Sequence, residues 1–204
     1  MPDLYRSVLL FGAPGVGKGT QGELLGHLPG FVHMASGDIF RALDADSVLG
    51  RKFHEYSSQG LLVPDEVTIE VWRDHVHSRI EQGTYRPDAE LLVLDGIPRN
   101  TAQCAALEAH IEVLQVVHLH APDIDEMVER LKKRAAKHGR VDDADESVIR
   151  RRFEVYDEET SPVLKYYDPD LLSEIPAVGL PAEVLLRVLE TIVPVYRARF
   201  GNPL

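Results

Sequence analysis

The 204-residue chain has a single cysteine, Cys104. An intrachain disulfide is therefore excluded, which fits a reducing compartment and makes the cytoplasm the expected location. Long apolar runs are missing too: none approaches the roughly 20 residues needed to cross a bilayer. The opening stretch, MPDLYRSVLLFGAPG, lacks a basic leader and a small-residue cleavage site. SVLLF then reads as a buried strand rather than a secretion signal. Repeats and low-complexity linkers are absent. Positive charge is scarce, with 22 Lys and Arg against 33 Asp and Glu and a net charge of −11. Such a chain repels nucleic acid and anionic membranes on average, so neither is an expected partner. What remains is ordinary globular composition, 44% hydrophobic and 27% charged, on a length that suits one α/β domain with small inserted lobes.

The few cations are mostly arginine, 16 against 6 lysines. Arginine makes bidentate contacts with phosphate oxygens. The excess fits a small phosphorylated ligand in a focused pocket, or a plain compositional bias. Short apolar strings at 7–11, 91–95 and 116–120, each followed by Gly or Pro, suit buried parallel strands. FVHMA (31–35) and LLSEI (171–175) are weaker strand candidates. Helical patterns lie between them, after residue 17 and over 65–83, 124–138, 145–167 and 182–200. Pro64 is placed at the first helical position of the second, and Pro194 is expected to kink the last. Alternating strands and helices predict a doubly wound parallel sheet of five strands.

Residues 12–20, GAPGVGKGT, carry the sharpest signal. Gly12, Gly15 and Gly17 let the backbone curl so that N–H groups point inward at the start of a helix, making an anion nest. Gly15, Val16, Gly17, Lys18, Gly19 and Thr20 are candidate ATP ligands, with Lys18 a point charge for the β- and γ-phosphates. The general phosphate-loop pattern wants Ser or Thr directly after the lysine. Here Gly19 intervenes and the hydroxyl arrives at Thr20.

That variant resembles the phosphate loop of nucleoside monophosphate kinases, adenylate kinases in particular. Other segments resemble the family's parts in the same order. ASGDIFRA (35–42) matches its STGDxLRA, which implies that Ser36 faces the acceptor base and Arg41 holds its phosphate. GLLVPDEVTIEV (60–71) matches the segment whose backbone, here Leu61, Leu62 and Val63, lines the base pocket. LLVLDGIPRNTAQC (91–104) matches LLDGFPRTxxQ. There Gly96, Ile97, Pro98 and Arg99 are expected at the acceptor phosphate, and Gln103 at the adenine edge. Ile97 replaces Phe and Asn100 replaces Thr. Asp95, ending a buried strand beside the loop, can serve Mg²⁺ through water, with Thr20. ERLKKR (129–134) and GRVDD (139–143) match donor-side motifs and imply roles for Arg130, Arg134 and Arg140. RRRFEVYDEETSPVLKYY (150–167) selects Arg152, four before Tyr156. Gly179, before the last helix, is a candidate contact to the donor adenine.

The resemblance implies a P-loop core (1–35, 64–133 and 143–204), an acceptor-binding lobe at 36–63 and a lid at 134–142. Only five residues separate Arg134 from Arg140, so the lid is of the short type and no structural zinc is expected. The implied reaction is ATP + AMP ⇌ 2 ADP with Mg²⁺, by a monomer, with Lys18, Arg99, Arg134, Arg140 and Arg152 catalytic. Arg140 and Arg152 also approach AMP. A UMP/CMP kinase is the alternative, favoured by Ser36 and Asn100 and opposed by Gln103. A non-catalytic adenine-nucleotide sensor or an ATPase driving a partner are readings from other classes. Two histidine pairs invite a metal reading. His75 and His77 face apart on a helix; His118 and His120 share a strand face but lack an evident third ligand. Packing at the strand end is the reading adopted for the second pair, with His120 near the donor pocket.

Overall fold

The computed structural model describes residues 4–121, 123–138, 140 and 143–201. Gly139, Val141 and Asp142 of the expected lid lie outside the described residues. The strands are β1 (Tyr5–Phe11), β2 (Phe31–Ala35), β3 (Leu91–Asp95), β4 (Ile111–His120) and β5 (Leu172–Pro176). They form an all-parallel sheet ordered β2-β3-β1-β4-β5. The helices are α1 (Lys18–Gly26), α2 (Ser36–Arg41), α3 (Val48–Ser57), α4 (Asp65–Glu81), α5 (Thr101–Leu107), α6 (Ile124–His138), α7 (Glu146–Val155) and α8 (Pro181–Phe200).

Helices cover both sheet faces, which is why the strands are apolar throughout rather than alternating. Strand parity still sorts the side chains. Val8 and Leu10 of β1 pack with Leu25 of α1, Leu131 of α6, Ile149 of α7 and Val188 of α8. Leu9 and Phe11 pack with Trp72 and Val76 of α4 and Cys104 and Leu107 of α5. On α8 the buried residues Val184, Val188, Ile192 and Tyr196 recur every fourth position, a stripe aimed at the sheet. β1 lies between β3 and β4, so the chain leaves it at the switch point of the sheet. Ligand crevices of open α/β sheets form there, beyond the carboxyl ends of the strands.

All five expected strands form, but β4 begins at Ile111, ahead of the apolar string. Glu112 and Gln115 hide its first half in the sequence. Gln115 is nonetheless buried, because its Nε2 donates to Leu171 O (2.6 Å) and Ser173 Oγ (3.0 Å). The segment 145–167 is not one helix. α7 stops at Val155, then a π-helical turn (Tyr156–Thr160) and a 3₁₀ turn (Ser161–Lys165) follow. Pro162 has no N–H to continue the ladder. Pro64 precedes the first residue of α4 instead of occupying it. Helices α2 and α5, of six and seven residues, are too short for a periodic signal, and α3 (Val48–Ser57) was not anticipated either.

Pro194 is exposed inside α8, which continues through it to Phe200. Replacing it restores a backbone donor, offset in part by a looser unfolded chain. Pro194→Ala is therefore expected to stabilise by about 1–2 kcal/mol and to raise Tm by roughly 3–6 °C. A lower Tm in a thermal melt would mean that the proline shape is needed for packing.

Candidate active site

The phosphate loop grows from the end of β1. Gly12, Gly15 and Gly17 have φ of 142°, 82° and 111°, a region costly for any residue with a Cβ. At Gly12 there is also no room: a Cβ would stand 2.3 Å from the Leu119 carbonyl oxygen. Gly17 caps α1, so the free N–H groups of its first turn face the loop. Lys18 is the first helical residue, and its Nζ donates to Gly12 O (2.6 Å) and Ala13 O (3.2 Å). Burial pushes its ammonium down to about 8; Asp95 opposes the shift, while Arg99, Arg152 and Arg134 add to it. Three arginines thus bear on one lysine. Such crowding is unfavourable unless anions arrive. Asp95 ends β3 with the parity of Leu91 and Val93, facing the α1 layer. It is 9% exposed, and its Oδ2 would lie 3.7 Å from a Cβ at Gly19. Thr20 is exposed in the first turn of α1.

One cavity joins this loop to the α2–α3 segment. Its wall includes Lys18, Ser36, Arg41, Leu61, Leu62, Val63, Gly96, Pro98, Arg99, Gln103 and Arg152, all named from the sequence. The loop after β3 is tightly tied. Gly96 O accepts from Ser36 Oγ (2.6 Å) and Arg99 Nε (2.7 Å). Gln103 Oε1 accepts from Arg99 N (2.7 Å), and its Nε2 donates to Asp65 Oδ1 (2.7 Å). Asn100 caps α5 through Gln103 N (2.8 Å) and also donates to Asp65 Oδ1 (2.9 Å). Its substitution for Thr thus has an architectural reason. Ile97 departs from expectation: its side chain is buried in the α4–α5 layer and does not line the cavity.

Two carboxylates organise the remaining arginines. Asp143 is fully buried between Arg134 (2.7 Å) and Arg152. Asp38 bridges Arg41 (2.7 Å) and Arg140 (3.2 Å), joining α2 to the segment after α6. Partial burial alone would raise the Asp38 carboxyl. Its hydrogen bond to Arg41 and the charges of Arg41 and Arg140 outweigh that and hold it below its ordinary value. Arg130 is set apart, part-exposed on α6 and paired with Glu126 (2.6 Å). Gly179 lies beside Glu183 ahead of α8, away from this wall. The sequence reading passed over Asp38 and Asp143, although both stand inside quoted motifs. It also missed the stacked rings of Phe40 and Phe53 (5.4 Å, 8°), which line the cavity. Among the described residues, no group of three or more His, Cys, Asp or Glu is arranged to hold a metal.

A family model described as "Adenylate kinase" matches residues 10–171. The chain belongs to the adenylate kinase family. Its similarity extends past that span. An adenylate kinase of Mycolicibacterium smegmatis is 42% identical over 191 residues, covering 91% of this chain and 98% of that protein. Those of Kocuria rhizophila and Thermus thermophilus are 39% and 36% identical, each over 91% of this chain and 97% and 96% of their own length. The chain is accordingly a nucleoside monophosphate kinase, a phosphotransferase between ATP and AMP.

A lysine with a pKa of about 8 binds anions well only below that pH. The kcat/KM for ATP, which reports the free enzyme, is expected to fall as pH rises through about 8. A pH–rate profile flat well above 8 would show that Lys18 keeps its proton. Removing Asp143 leaves Arg134 and Arg152 without their shared buried counterion. Asp143→Ala is expected to cost about 3 kcal/mol, with a Tm drop of roughly 6–12 °C, and to lower kcat. An unchanged melt would count against the network.

Proposed function

We propose that ATP lies on the phosphate loop and AMP in the cavity walled by α2, α3 and the loop after β3, with in-line transfer between them. The observation that carries this is the cavity itself. Its lining combines Gly12, Pro14 and Lys18 of the phosphate loop with Arg41, Arg99 and Arg152 and with apolar Phe40, Phe53, Leu61, Leu62 and Val63, which suit a base. The acceptor is already an anion, so no general base is required. The barrier is charge repulsion and misalignment, which positioned cations lower. Lys18, Arg134, Arg140 and Arg152 would stabilise the transferring group, with Arg99. Arg41 and Arg99 would hold the acceptor phosphate.

Leu61 to Val63 and Gln103 would receive the adenine, Gln103 with the hydrogen-bonding capacity left by its two internal bonds. The relatives compared above are adenylate kinases, which supports AMP over CMP or UMP. Of the two residues favouring pyrimidines, Asn100 is occupied with capping α5 and Ser36 donates to Gly96 O. Entry of a phosphate between Arg41 and Arg140 would compete with Asp38, so residues 36–63 and the lid at 134–142 are proposed to close as the nucleotides bind and exclude water. Arg130 and Gly179 would contribute to ATP binding.

Mg²⁺ fits the residues present. Asp95 offers a buried carboxylate aimed at the first turn of α1, and Thr20 a hydroxyl one residue beyond Gly19. A hard cation that retains several waters needs only one or two such oxygens besides the phosphates. When bound it would neutralise phosphate charge. The chain's own part is to orient the phosphates through the loop and Lys18. Action as a monomer on free nucleotides in the cytoplasm completes the proposal; no described helix is long and apolar enough to cross a membrane.

The deciding test is an acceptor panel with MgATP and AMP, CMP, UMP, GMP or none, with products separated and quantified. Two ADP per AMP, and little product elsewhere, is the expected result; CDP or UDP as main product would refute the adenine assignment. Lys18→Ala and Arg99→Ala should each lower kcat/KM by at least about 100-fold with the fold intact. Near-native turnover in either variant would overturn its role.

A further inference from the structure

His118 and His120 close β4 and play no part in the phosphate contacts above. His120 is exposed, but His118 is only 17% exposed and both ring nitrogens are engaged. Nδ1 lies 2.9 and 2.8 Å from the two carboxylate oxygens of Glu174, and Nε2 lies 3.1 Å from the Tyr156 hydroxyl. An ionised carboxylate only accepts, so Nδ1 carries a proton. In the neutral ring Nε2 is then an acceptor, and Tyr156 donates to it. The tyrosine can keep that role, because burial, with Asp157 and Glu174, pushes its pKa up to about 12. Glu174 is the direct partner of His118 in the β4–β5 pairing, so the sheet itself sets the imidazole's orientation.

Tyr156 stands at a weak place in the chain. It opens the π-helical turn after α7, just ahead of Pro162, and its side chain lines the cavity with Arg152 one turn earlier. The π-helical and 3₁₀ turns depart from regular α-helix, and Pro162 has no backbone donor. A side-chain tie to the sheet adds a fixed point beside these irregular turns.

We propose that His118 is a positioning residue for the acceptor nucleotide: oriented by Glu174, it anchors the Tyr156 hydroxyl and thereby holds the cavity wall that carries Arg152. The proposal rests on the reading of that cavity as the AMP site, which Arg99→Ala on the cavity wall tests independently.

The experiment measures KM for AMP at saturating ATP, KM for ATP at saturating AMP, kcat and Tm. It uses His118→Leu, Tyr156→Phe, their double variant and His118→Gln. Each of the first two should raise KM for AMP roughly 5- to 10-fold, the worth of about one buried hydrogen bond. KM for ATP should stay within about twofold, since Tyr156 lines the cavity read as the acceptor site, while kcat should fall with any shift of Arg152, which also bears on Lys18. The double variant should lose no more than the worse single one, because both remove the same link. His118→Gln, whose amide can accept from Tyr156 and donate to Glu174, should recover much of the loss. An unchanged KM for AMP in folded His118→Leu overturns the proposal. So does a loss shared equally by both substrates alongside a lower Tm, or additive effects in the double variant. Should His118→Leu fail to fold, Tyr156→Phe removes only a hydroxyl and decides alone: normal KM for AMP in that variant refutes the link.

Discussion

Like charges must be held close together at the carboxyl edge of the sheet, and much of the local architecture answers that constraint. Lys18 lies within the influence of Arg99, Arg134 and Arg152. Arg41 and Arg140 meet at Asp38. Left alone, such a cluster would repel itself and pull in water. Asp95, Asp143 and Asp38 neutralise part of it from separate elements, and the carbonyls of Gly12 and Ala13 cradle the lysine. Of these cations, Lys18, Arg41, Arg99 and Arg152 stand together in one cleft of a chain whose net charge is −11. A globally acidic surface and a locally cationic cleft are compatible because low-dielectric walls focus the field within the cleft.

The scaffold holds these charges by ordinary packing. Strand parity sends Asp95 toward α1 and its neighbours Leu92 and Leu94 toward α4 and α5. The loop after β3 has few apolar contacts of its own apart from Ile97. It is fastened instead by a hydrogen-bonded net through Ser36, Gly96, Arg99, Asn100, Gln103 and Asp65. That net joins three elements distant in sequence: the start of α2, the start of α4 and the start of α5. A shift in any one of them would move Arg99. A side-chain tie also links β4 and β5 to the π-helical turn, through His118, Glu174 and Tyr156.

Much of the candidate site was legible because its residues sit in local sequence patterns. Left-handed glycines, a lysine at a helix start and an arginine four residues before a glutamine are all short-range patterns. The less legible parts depend on distant partners. Asp143 reads as one more acidic residue until Arg134 and Arg152 are seen on either side of it. Ile97 is expected at the acceptor phosphate along with its neighbours, yet its side chain turns into the core. Gln115 reads as polar surface and is buried by two bonds to the segment leading into β5. Short helices such as α2 and α5 carry too few turns to show a period, and the capping that starts α5 is visible only once Asn100 is placed.

By itself the sequence determined the fold class, the five strands, the phosphate loop and the family, because these follow from glycine placement, apolar runs and ordered motifs spread along the chain. Tertiary structure decided which carboxylate serves which arginine, where the helix after Asp145 breaks, and that His118 meets Glu174 and Tyr156. Those outcomes rest on contacts between residues far apart in sequence, such as Asp38 with Arg140 and His118 with Glu174. No local pattern encodes such pairs, since each exists only after the strands and helices have been brought together.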